Sequence, residues 1–298
     1  MKIISFSNIL SLNITAQSCV KWAKFVMLHK HDFTLPPKTS IKFGNHCFFN
    51  TMPSMLLNYD IFGIKAVSRI SNRNPHIKAD ILLYSTKSGK LLSLMDGTWI
   101  TMMRTGAVAA LTMKLLASKN ASEISFIGLG ATARATLLCY NAIQKGKNLK
   151  INLLAYKRTH IEFMKQFRGF GNITFRIFDN IKDLAQNSDV LISCVTAMDS
   201  TFANEACYKK GILIIPVHTM GFQNCDLAFD KIFCDDLGHI SHFKYFNQYK
   251  SVGEMTDILS GKISGRDTDS ERILAYNIGI SIYDIYFAMK IYKRFARK

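Results

Sequence analysis

A short glycine-rich segment, Ser125-Phe-Ile-Gly-Leu-Gly-Ala-Thr-Ala-Arg134, restricts the fold of this chain more than any other stretch. Apolar residues typical of a buried strand precede Gly128 and Gly130, and residues 131–143 have the spacing of a helix. This is the strand–turn–helix form of G-x-G-x-x-A, the dinucleotide-binding fingerprint. Gly128 would allow the tight turn, Gly130 would let the backbone approach a pyrophosphate, and Ala133 would let the helix pack closely on its strand. The pyrophosphate would lie at the helix N-terminus, where unpaired N–H groups and the helix dipole favour an anion.

The residues after this segment alternate between apolar runs and helical spacing. The predicted strands are residues 151–155, 173–178, 190–195, 212–217 and 231–234, and the predicted helices between them are 160–167 and 181–187. Continuous apolar strands that alternate with helices indicate a parallel sheet covered on both faces. We therefore predict a doubly wound, Rossmann-type α/β domain over residues 119–272.

The N-terminal third has a different pattern. Short β-like runs occur at residues 41–49, 63–70, 79–84 and 90–95, and the last two flank a hairpin-type turn at 85–89. Residues 98–117 predict one long helix, and an amphipathic run from Leu274 to Ile291 predicts a C-terminal helix. We expect the Rossmann domain to be inserted in a second, mixed α/β domain built from residues 1–118 and a helix within 273–298.

Composition narrows the class of protein further. The 298 residues suffice for two domains, and 38 Lys and Arg against 21 Asp and Glu give a net charge of +17, which favours anionic ligands. No basic run with interleaved aromatic residues is present, so we predict no nucleic-acid partner. The sequence has no apolar window of about 18 residues, so we predict no membrane span. Seven cysteines without a C-x-x-C pair fit a reducing cytoplasm, and the scattered histidines predict no metal site.

Several motifs precede the fingerprint in a characteristic order. They are Pro37-Lys38, Met52-Pro53, Gly63-Ile-Lys65-Ala-Val67, Asn74-Pro75, Asp96-Gly97 and Arg104-Thr-Gly-Ala107. With these motifs the chain resembles the ornithine cyclodeaminase/mu-crystallin family over nearly its whole length. The resemblance implies an NAD(P)-binding Rossmann domain, a second domain that binds an amino acid and dimerises, and redox chemistry at an amino-acid Cα. Members include cyclodeaminases, alanine dehydrogenases, ketimine reductases and a synthase of the 2,3-diaminopropionate pathway.

Three basic residues are candidates for the substrate site. Lys65 lies in an apolar strand context, where it is either a snorkelling strand lysine or a proton-exchanging group whose pKa falls on desolvation. The resemblance implies that Lys65 contacts the substrate as its acid/base. Arg104 opens an otherwise apolar helix, and a bidentate clamp on a carboxylate or phosphate would account for its position. The resemblance implies that Arg104 lies between substrate and cofactor, and that Lys38, otherwise a loop lysine, binds the substrate carboxylate.

Asp226 is the second predicted catalytic residue. It follows the predicted strand 212–217, and the carboxyl ends of parallel strands line the ligand crevice. The resemblance implies an aspartate here that polarises the substrate amine or an attacking water, whereas the alternative is a helix cap. The Pro-Gly-Lys-containing loop of the cyclodeaminases is absent, and the short form followed by Asp235-Asp236 and His239 looks closer to the diaminopropionate branch.

The resemblance also marks residues near the end of the chain. Gly279 and Asp284 match a C-terminal Gly…Asp signature that lies near the site in the family, although Asp284 could equally be a residue of a polar helix face.

The cofactor contacts follow from the fingerprint and from the resemblance. The predicted cofactor-binding residues are Arg104, Thr105, Gly128, Gly130, Ala131, Thr132, Ala133, Lys157, Arg158, Thr159 and Thr196, the last facing the nicotinamide. No carboxylate ends the second predicted strand, where NAD-specific domains carry one. Lys157, Arg158 and Thr159 would attract a 2′-phosphate there, unless the two cations simply point to solvent. NADP(H) is therefore favoured, with NAD(H) possible.

Together these residues predict a cytoplasmic, homodimeric NAD(P)-dependent oxidoreductase. Its substrate would be a small α-amino acid, or the related imine or keto acid, with hydride passing between Cα and the nicotinamide. Within the same class, cyclodeamination and oxidative release of an amino acid from an N-substituted adduct remain alternatives. A cofactor-binding relative without turnover is a rival from another class, and the presence of Lys65, Arg104 and Asp226 argues against it.

Overall fold

The structure is a computed structural model that describes residues 1–195, 204–217 and 225–297. Its strands in chain order are β1 (Lys2–Ile4), β2 (Thr39–Phe43), β3 (Cys47–Leu56), β4 (Ile61–Arg69), β5 (Ile77–Tyr84), β6 (Leu91–Asp96), β7 (Glu123–Ile127), β8 (Leu149–Leu154), β9 (Ile173–Phe178), β10 (Val190–Ser193), β11 (Leu213–Pro216), β12 (Lys231–Cys234), β13 (Val252–Glu254) and β14 (Ile273–Tyr276). Its helices are α1 (Phe6–Leu10), α2 (Ala16–Leu28), α3 (Thr98–Leu116), α4 (Ala131–Ile143), α5 (Thr159–Gln166), α6 (Ile181–Gln186), α7 (Met255–Leu259) and α8 (Ser281–Phe295).

The chain divides into two compact units. The first consists of Met1–Arg104 with Gly279–Lys298, and the second of Thr105–Ile278. The predicted divisions were after residue 118 and before residue 273. In the structure one division falls inside α3, because this helix continues without a break past Arg104.

The first unit is built on a six-stranded mixed sheet. Its strand order is β1-β6-β5-β4-β3-β2, in which β1 runs parallel to β6 and every other pair is antiparallel. The predicted hairpin turn at residues 85–89 joins β5 to β6, with Gly89 at a φ of +66°. Alternate residues of β4 are buried, which places the side chains of its odd-numbered positions on the covered face of the sheet.

Helix α8 covers this face by packing on β3, β4 and β5, and α2 packs on α8 in turn. The close approach depends on Gly63 in β4. A Cβ atom at Gly63 would lie 2.8 Å from Cδ1 of Ile285 and 2.6 Å from the carbonyl oxygen of Leu82. Because glycine has no side chain, α8 lies directly over the strand that carries Lys65.

The second unit contains an eight-stranded parallel sheet with the order β13-β12-β14-β11-β10-β7-β8-β9. The chain starts at β7, adds β8 and β9 on one side, and then returns to add β10 and β11 on the other. This reversal is the doubly wound arrangement, whose ligand crevice lies outside the carboxyl ends of the strands. The predicted Rossmann-type α/β fold is confirmed.

Helix α3 packs very closely on α4 within this second unit. A Cβ atom at Gly106 would lie 2.5 Å from the carbonyl carbon of Ala135 and 2.6 Å from the nitrogen of Thr136. The glycine of the Arg104-Thr-Gly-Ala107 motif is therefore required for backbone contact between two helices.

Two of the predicted elements are wrong. Residues 41–49 do not form one strand but the hairpin of β2 and β3, which turns where Gly44 and His46 adopt positive φ. The predicted C-terminal helix begins at Ser281 rather than near Leu274, because Ile273–Tyr276 forms β14 between β11 and β12. A short apolar run fits a buried strand and a buried helix equally well, so periodicity alone could not separate the two.

None of the helices in the described ranges is both long enough and apolar enough to span a membrane.

Candidate functional site

Lys65 occupies the middle of the central strand β4. Its register partners are Met52 in β3 and Ile81 in β5, and its side chain is 1% exposed. The strand's alternation directs this ammonium group into the layer between the sheet and α8 rather than to solvent. A fully buried lysine needs a charged partner, since desolvation strongly disfavours its protonated form.

The partner is Asp284 on α8, whose side chain is completely buried. The Lys65 Nζ donates a hydrogen bond to Asp284 Oδ1 at 2.9 Å, and the Nε of Arg104 donates to the same oxygen at 3.0 Å. Arg104 comes from the seventh position of α3, and its side chain is also buried. The first turn of α3 is held by Asp96, whose carboxylate accepts the Thr98 N–H at 2.7 Å. Three distant segments of the first unit thus meet at one carboxylate oxygen.

The electrostatics of this group favour an anionic ligand. The pKa of Lys65 is lowered to about 8: burial is the main cause, Asp284 opposes the shift, and Arg104 and Lys38 add to it. Lys38, just before β2, is half-buried, and burial followed by the charges of Arg104 and Lys42 lowers its pKa. Lys65 and Arg104 therefore share the Asp284 carboxylate, Lys38 adds a third positive charge to the same field, and a ligand carboxylate would offset the excess.

The fingerprint of the second unit has the predicted geometry. Gly128 follows β7 at a φ of +78°, and a Cβ atom there would lie 2.7 Å from the carbonyl carbon of Cys194. Gly130 is the N-cap of α4 and has open space around its Cα, with no atom within 4 Å of a Cβ placed on it. Ala133 is fully buried, which lets α4 pack closely.

These features fit the pyrophosphate of a dinucleotide. The N-cap residue Gly130 makes no side-chain capping hydrogen bond to the first-turn N–H groups of Ala131, Thr132 and Ala133, which leaves these groups suited to an anion. Arg134 follows in the first turn, and its buried Nε has no hydrogen-bond partner among the described residues. An uncapped helix N-terminus beside an unsatisfied cationic donor is suited to bind phosphate.

The end of β8 presents two cations and no carboxylate. Lys157 and Arg158 both have positive φ, and the Lys157 ammonium lies 5.2 Å from the centroid of the Tyr156 ring. Thr159 begins α5, and its hydroxyl donates to the carbonyl oxygen of Tyr156 at 2.7 Å. The charges of Arg134 and Arg158 both contribute to lowering the pKa of Glu162, after the stronger effect of Lys165, so they lie in the same local field.

Asp226 lies in the second unit, at the start of a short 3-10 turn after β11, and is 1% exposed. Tyr249 Oη donates to its Oδ2 at 2.5 Å, and Tyr276 Oη donates to its Oδ1 at 2.9 Å. Burial raises the pKa of Asp226, and the two tyrosine hydroxyls partly oppose this shift. Both carboxylate oxygens are thus occupied by neutral donors.

The structure brings together three of the predicted site residues, Lys38, Lys65 and Arg104, in the first unit. Thr105, Asp226, the fingerprint residues and the Lys157–Thr159 group belong to the second unit. Thr196 lies outside the residues that the structure describes. No prediction for these residues is tested by their position alone, and their roles stay proposals.

Sequence reasoning left open one residue of the cluster and missed two others. Asp284 was either near the site or on a polar helix face, and the structure buries it completely between Lys65 and Arg104. The available signal for Asp284 in the sequence was its spacing from Gly279, which matches the C-terminal signature of the family. Tyr249 and Tyr276 were not recognised as partners of Asp226, and a tyrosine in an apolar run carries no signal that its hydroxyl reaches a carboxylate.

Comparisons with known proteins agree with this architecture. The model of the ornithine cyclodeaminase/mu-crystallin family matches residues 8–298. A Δ(1)-pyrroline-2-carboxylate reductase of Bacillus cereus is 22% identical over 282 residues, which cover 87% of this chain and 85% of the relative. The Thermococcus litoralis Δ(1)-pyrroline-2-carboxylate reductase, solved with NADH and L-proline, superposes with a TM-score of 0.86 at 22% identity and covers 100% of this chain and 98% of its own. A dimeric archaeal alanine dehydrogenase with bound NAD has a TM-score of 0.83 at 21% identity, covering 99% and 96%.

Proposed function

The chain belongs to the ornithine cyclodeaminase/mu-crystallin family, and from this premise we propose that it is an NAD(P)-dependent oxidoreductase acting at the Cα of a small amino acid or of its imine or keto acid. The observation that carries the proposal is the buried pair of Lys65 and Arg104 on the Asp284 carboxylate, with the half-buried Lys38 in the same electrostatic field. Such a group supplies both a carboxylate-binding charge and a lysine that titrates near neutral pH. Relatives that reduce a cyclic imine or oxidise alanine act on substrates of this type.

In the proposed reaction, Arg104 and Lys38 bind the substrate carboxylate and thereby fix the Cα. A bound nicotinamide would supply the hydride that reduces the C=N bond. Lys65, protonated below its pKa of about 8, donates the proton that the substrate nitrogen acquires. The neutral Lys65 side chain is then reprotonated by solvent. In the oxidative direction the neutral lysine accepts that proton.

The cofactor would be held by the fingerprint of the second unit. The first-turn N–H groups of α4, from Ala131 to Ala133, would bind the pyrophosphate, with Gly128 and Gly130 giving the backbone access. Arg104, Thr105 and Thr196 complete the proposed contacts on the grounds of the family resemblance.

For the choice of cofactor we favour NADP(H) over NAD(H). Lys157, Arg158 and Thr159 lie at the end of β8, where a 2′-phosphate would meet two cations and a hydroxyl. Relatives solved with NADH or NAD keep NAD(H) possible. Arg158→Ala should weaken NADPH binding by about tenfold in a fluorescence titration, while NADH binding changes little. The exposed Arg176→Ala is the matched control, and tighter NADH binding by the wild type would contradict the preference.

We also propose a homodimer in a reducing cytoplasm. The edge strand β2 is exposed along its whole length, and with β3 it presents the apolar side chains of Ile41, Phe43 and Phe49. Monomers rarely leave such a patch uncovered. Light scattering should give about twice the chain mass of 33.7 kDa, and Ile41→Lys should reduce it. A monomer mass for the wild type would overturn the dimer. All seven cysteines are free thiols, as a reducing compartment requires.

The direct test of function is a substrate panel followed by the absorbance of the reduced nicotinamide. Reductive assays would use Δ(1)-pyrroline-2-carboxylate, and pyruvate with ammonia, and oxidative assays would use L-proline and L-alanine. Turnover of any member supports the proposal. Release of ammonia from L-ornithine without net change in the nicotinamide would instead establish cyclodeamination. Tight cofactor binding without turnover across an extended amino-acid panel would favour the binding-protein alternative.

A further inference from the structure

The arrangement of Asp284 is unusual in that one of its oxygens holds two cations. Oδ1 accepts from both Lys65 and Arg104, whereas the buried Oδ2 makes no hydrogen bond with any described residue. The two cations come from β4 and α3, and the sequence separations from Asp284 are 219 and 180 residues. Without this shared anion, two like charges in a dry environment would repel each other.

Gly279 supports the second of these cations. It precedes α8 with a φ of +90°, and a Cβ atom there would lie 2.9 Å from the Cζ and 2.9 Å from the Nη2 of Arg104. The guanidinium therefore lies against the backbone of Gly279, on a site that any side chain would fill. Gly279 and Asp284 are five residues apart, so one segment of chain restrains Arg104 from two directions.

We propose that Asp284 and Gly279 are positioning residues of the active site, which set the protonation of Lys65 and the place of the Arg104 guanidinium without touching the substrate. This inference rests on the proposed function, because it assigns tasks to Lys65 and Arg104 that only matter for a carboxylate-bearing substrate. With this assignment, α8 and the turn before it become part of the active site that Lys38, Lys65 and Arg104 form.

The charges around Lys65 determine the sign of the expected effect. The groups that act on it are Asp284 from α8, Arg104 from α3 and Lys38 from the segment before β2. Burial has the largest effect and lowers the pKa of Lys65, the two cations lower it as well, and Asp284 raises it; the resulting value is about 8. Asp284→Asn keeps the shape and removes the opposing charge, so the pKa must fall further and less ammonium is present at a given pH.

The first experiment measures this pKa directly. Lysines labelled with 13C at Cε would be titrated by NMR in the wild type and in Asp284→Asn, with the Lys65 signal assigned by its loss in Lys65→Met. We expect the Lys65 pKa to fall by about one unit or more, the usual effect of losing an opposite charge at contact distance. The alkaline limb of the reductive pH profile should move to lower pH by the same amount. Asp80→Asn is the control, because it removes an exposed charge from β5 of the same unit.

The second experiment separates Arg104 from Lys65. Gly279→Ala should raise the KM for the carboxylate substrate about tenfold, because the guanidinium is displaced from its place, with a much smaller change in kcat. Gly89→Ala is the matched control, since Gly89 also has a positive φ of +66° but no atom within 4 Å of an added Cβ. A KM for Gly279→Ala equal to that of Gly89→Ala would overturn the role of Gly279.

The two hypotheses can fail separately. The NMR titration needs no turnover, so a shifted Lys65 pKa in a protein that reduces no imine or keto acid would keep the positioning role and reject the proposed function. An unchanged Lys65 pKa and unchanged alkaline limb in Asp284→Asn, in a folded and active enzyme, would reject the positioning role. If Asp284→Asn fails to fold, Asp284→Ser supplies the same test, since it also removes the charge and should lower the Lys65 pKa in the same direction.

Discussion

Asp284 and Asp226 are both almost completely buried carboxylates, yet their environments are opposite. Asp284, in the first unit, accepts from the cations Lys65 and Arg104, whereas Asp226, in the second, accepts from the neutral hydroxyls of Tyr249 and Tyr276. Burial of a charge is costly in either case, and it can be offset by counter-charge or by hydrogen bonds. The comparison teaches that the first carboxylate is coupled to two cations, one of which is the proposed proton donor, whereas the second is coupled only to neutral hydroxyls.

The environment of Asp226 supports this contrast. Burial raises the pKa of Tyr276 well above its ordinary value, with the charge of Asp226 as the next cause. Burial, followed by the hydrogen bond to Asp226 and then by its charge, raises the pKa of Tyr249. Both phenols are therefore neutral donors near neutral pH. Tyr276 lies in β14 and Tyr249 precedes β13, so Asp226 ties the turn after β11 to two other parts of the sheet. A proton-handling role for Asp226 would require one of these hydrogen bonds to open.

The largest expected effect is on turnover, at the charged cluster. Lys65→Met should reduce kcat by about 10² to 10⁴, the typical contribution of a positioned proton donor, while cofactor binding stays near the wild-type value. Steady-state kinetics and a fluorescence titration of the cofactor measure the two quantities. Lys78→Met, at an exposed position of β5, is the control. A wild-type kcat in Lys65→Met would show that the lysine is structural and would remove the contrast between the two carboxylates.

Next in size is the effect on stability at the neutral cluster. Asp226→Ala leaves two tyrosine hydroxyls without an acceptor, and each unsatisfied group costs about 1–3 kcal/mol, so the free energy of unfolding should fall by about 3 kcal/mol. Urea denaturation measures the loss, with the exposed Asp179→Ala as control. If Asp226 instead handles protons, Asp226→Asn should remain nearly as stable as the wild type and lose kcat by the same factor as Lys65→Met. That result would give Asp226 a role in proton transfer and would remove the contrast between its function and that of Asp284.

A smaller effect concerns the pH dependence of the free energy of unfolding. The pKa of Asp226 is raised in the folded state, so the native protein binds this proton more tightly than the unfolded chain. The contribution of the carboxyl group to stability is therefore greatest below its unfolded pKa of about 3.9, and it declines as pH rises through the folded value. The stability of the wild type relative to Asp226→Asn should fall as the pH rises above the unfolded pKa of about 3.9. A relative stability that rises with pH would mean that the folded pKa is lowered, as for a carboxylate paired with cations.

The two regions also differ in how far they could be predicted from the sequence. The turn at Gly128 and Gly130 is local, because strand, glycines and helix are consecutive, and the structure has it as predicted. Lys65 and Arg104 were recognised by residue type in an apolar context together with the family resemblance. The link from Lys65 to Asp284 spans 219 residues and depends on how closely α8 approaches β4, which no local pattern encodes. Strand β14 was taken for a helix for the same reason, since its neighbours β11 and β12 lie elsewhere in the chain.

The smallest expected effects are the losses of stability on removing the hydroxyls of Tyr276 and Tyr249. The order of the two losses tests whether these neutral donors hold Asp226 in place. Tyr276 is fully buried, so Tyr276→Phe leaves Asp226 Oδ1 without a donor in a place that solvent does not reach, and should cost about 1–2 kcal/mol. Tyr249 is half-buried, so water can replace its hydroxyl in Tyr249→Phe, and the loss should stay below about 1 kcal/mol although its hydrogen bond is the shorter. Because both bonds end on one carboxylate, the double variant should lose more than the sum of the single variants. Urea midpoints of the three variants measure this order. A larger loss for Tyr249→Phe than for Tyr276→Phe would show that the short bond, and not the depth of burial, determines how Asp226 is held.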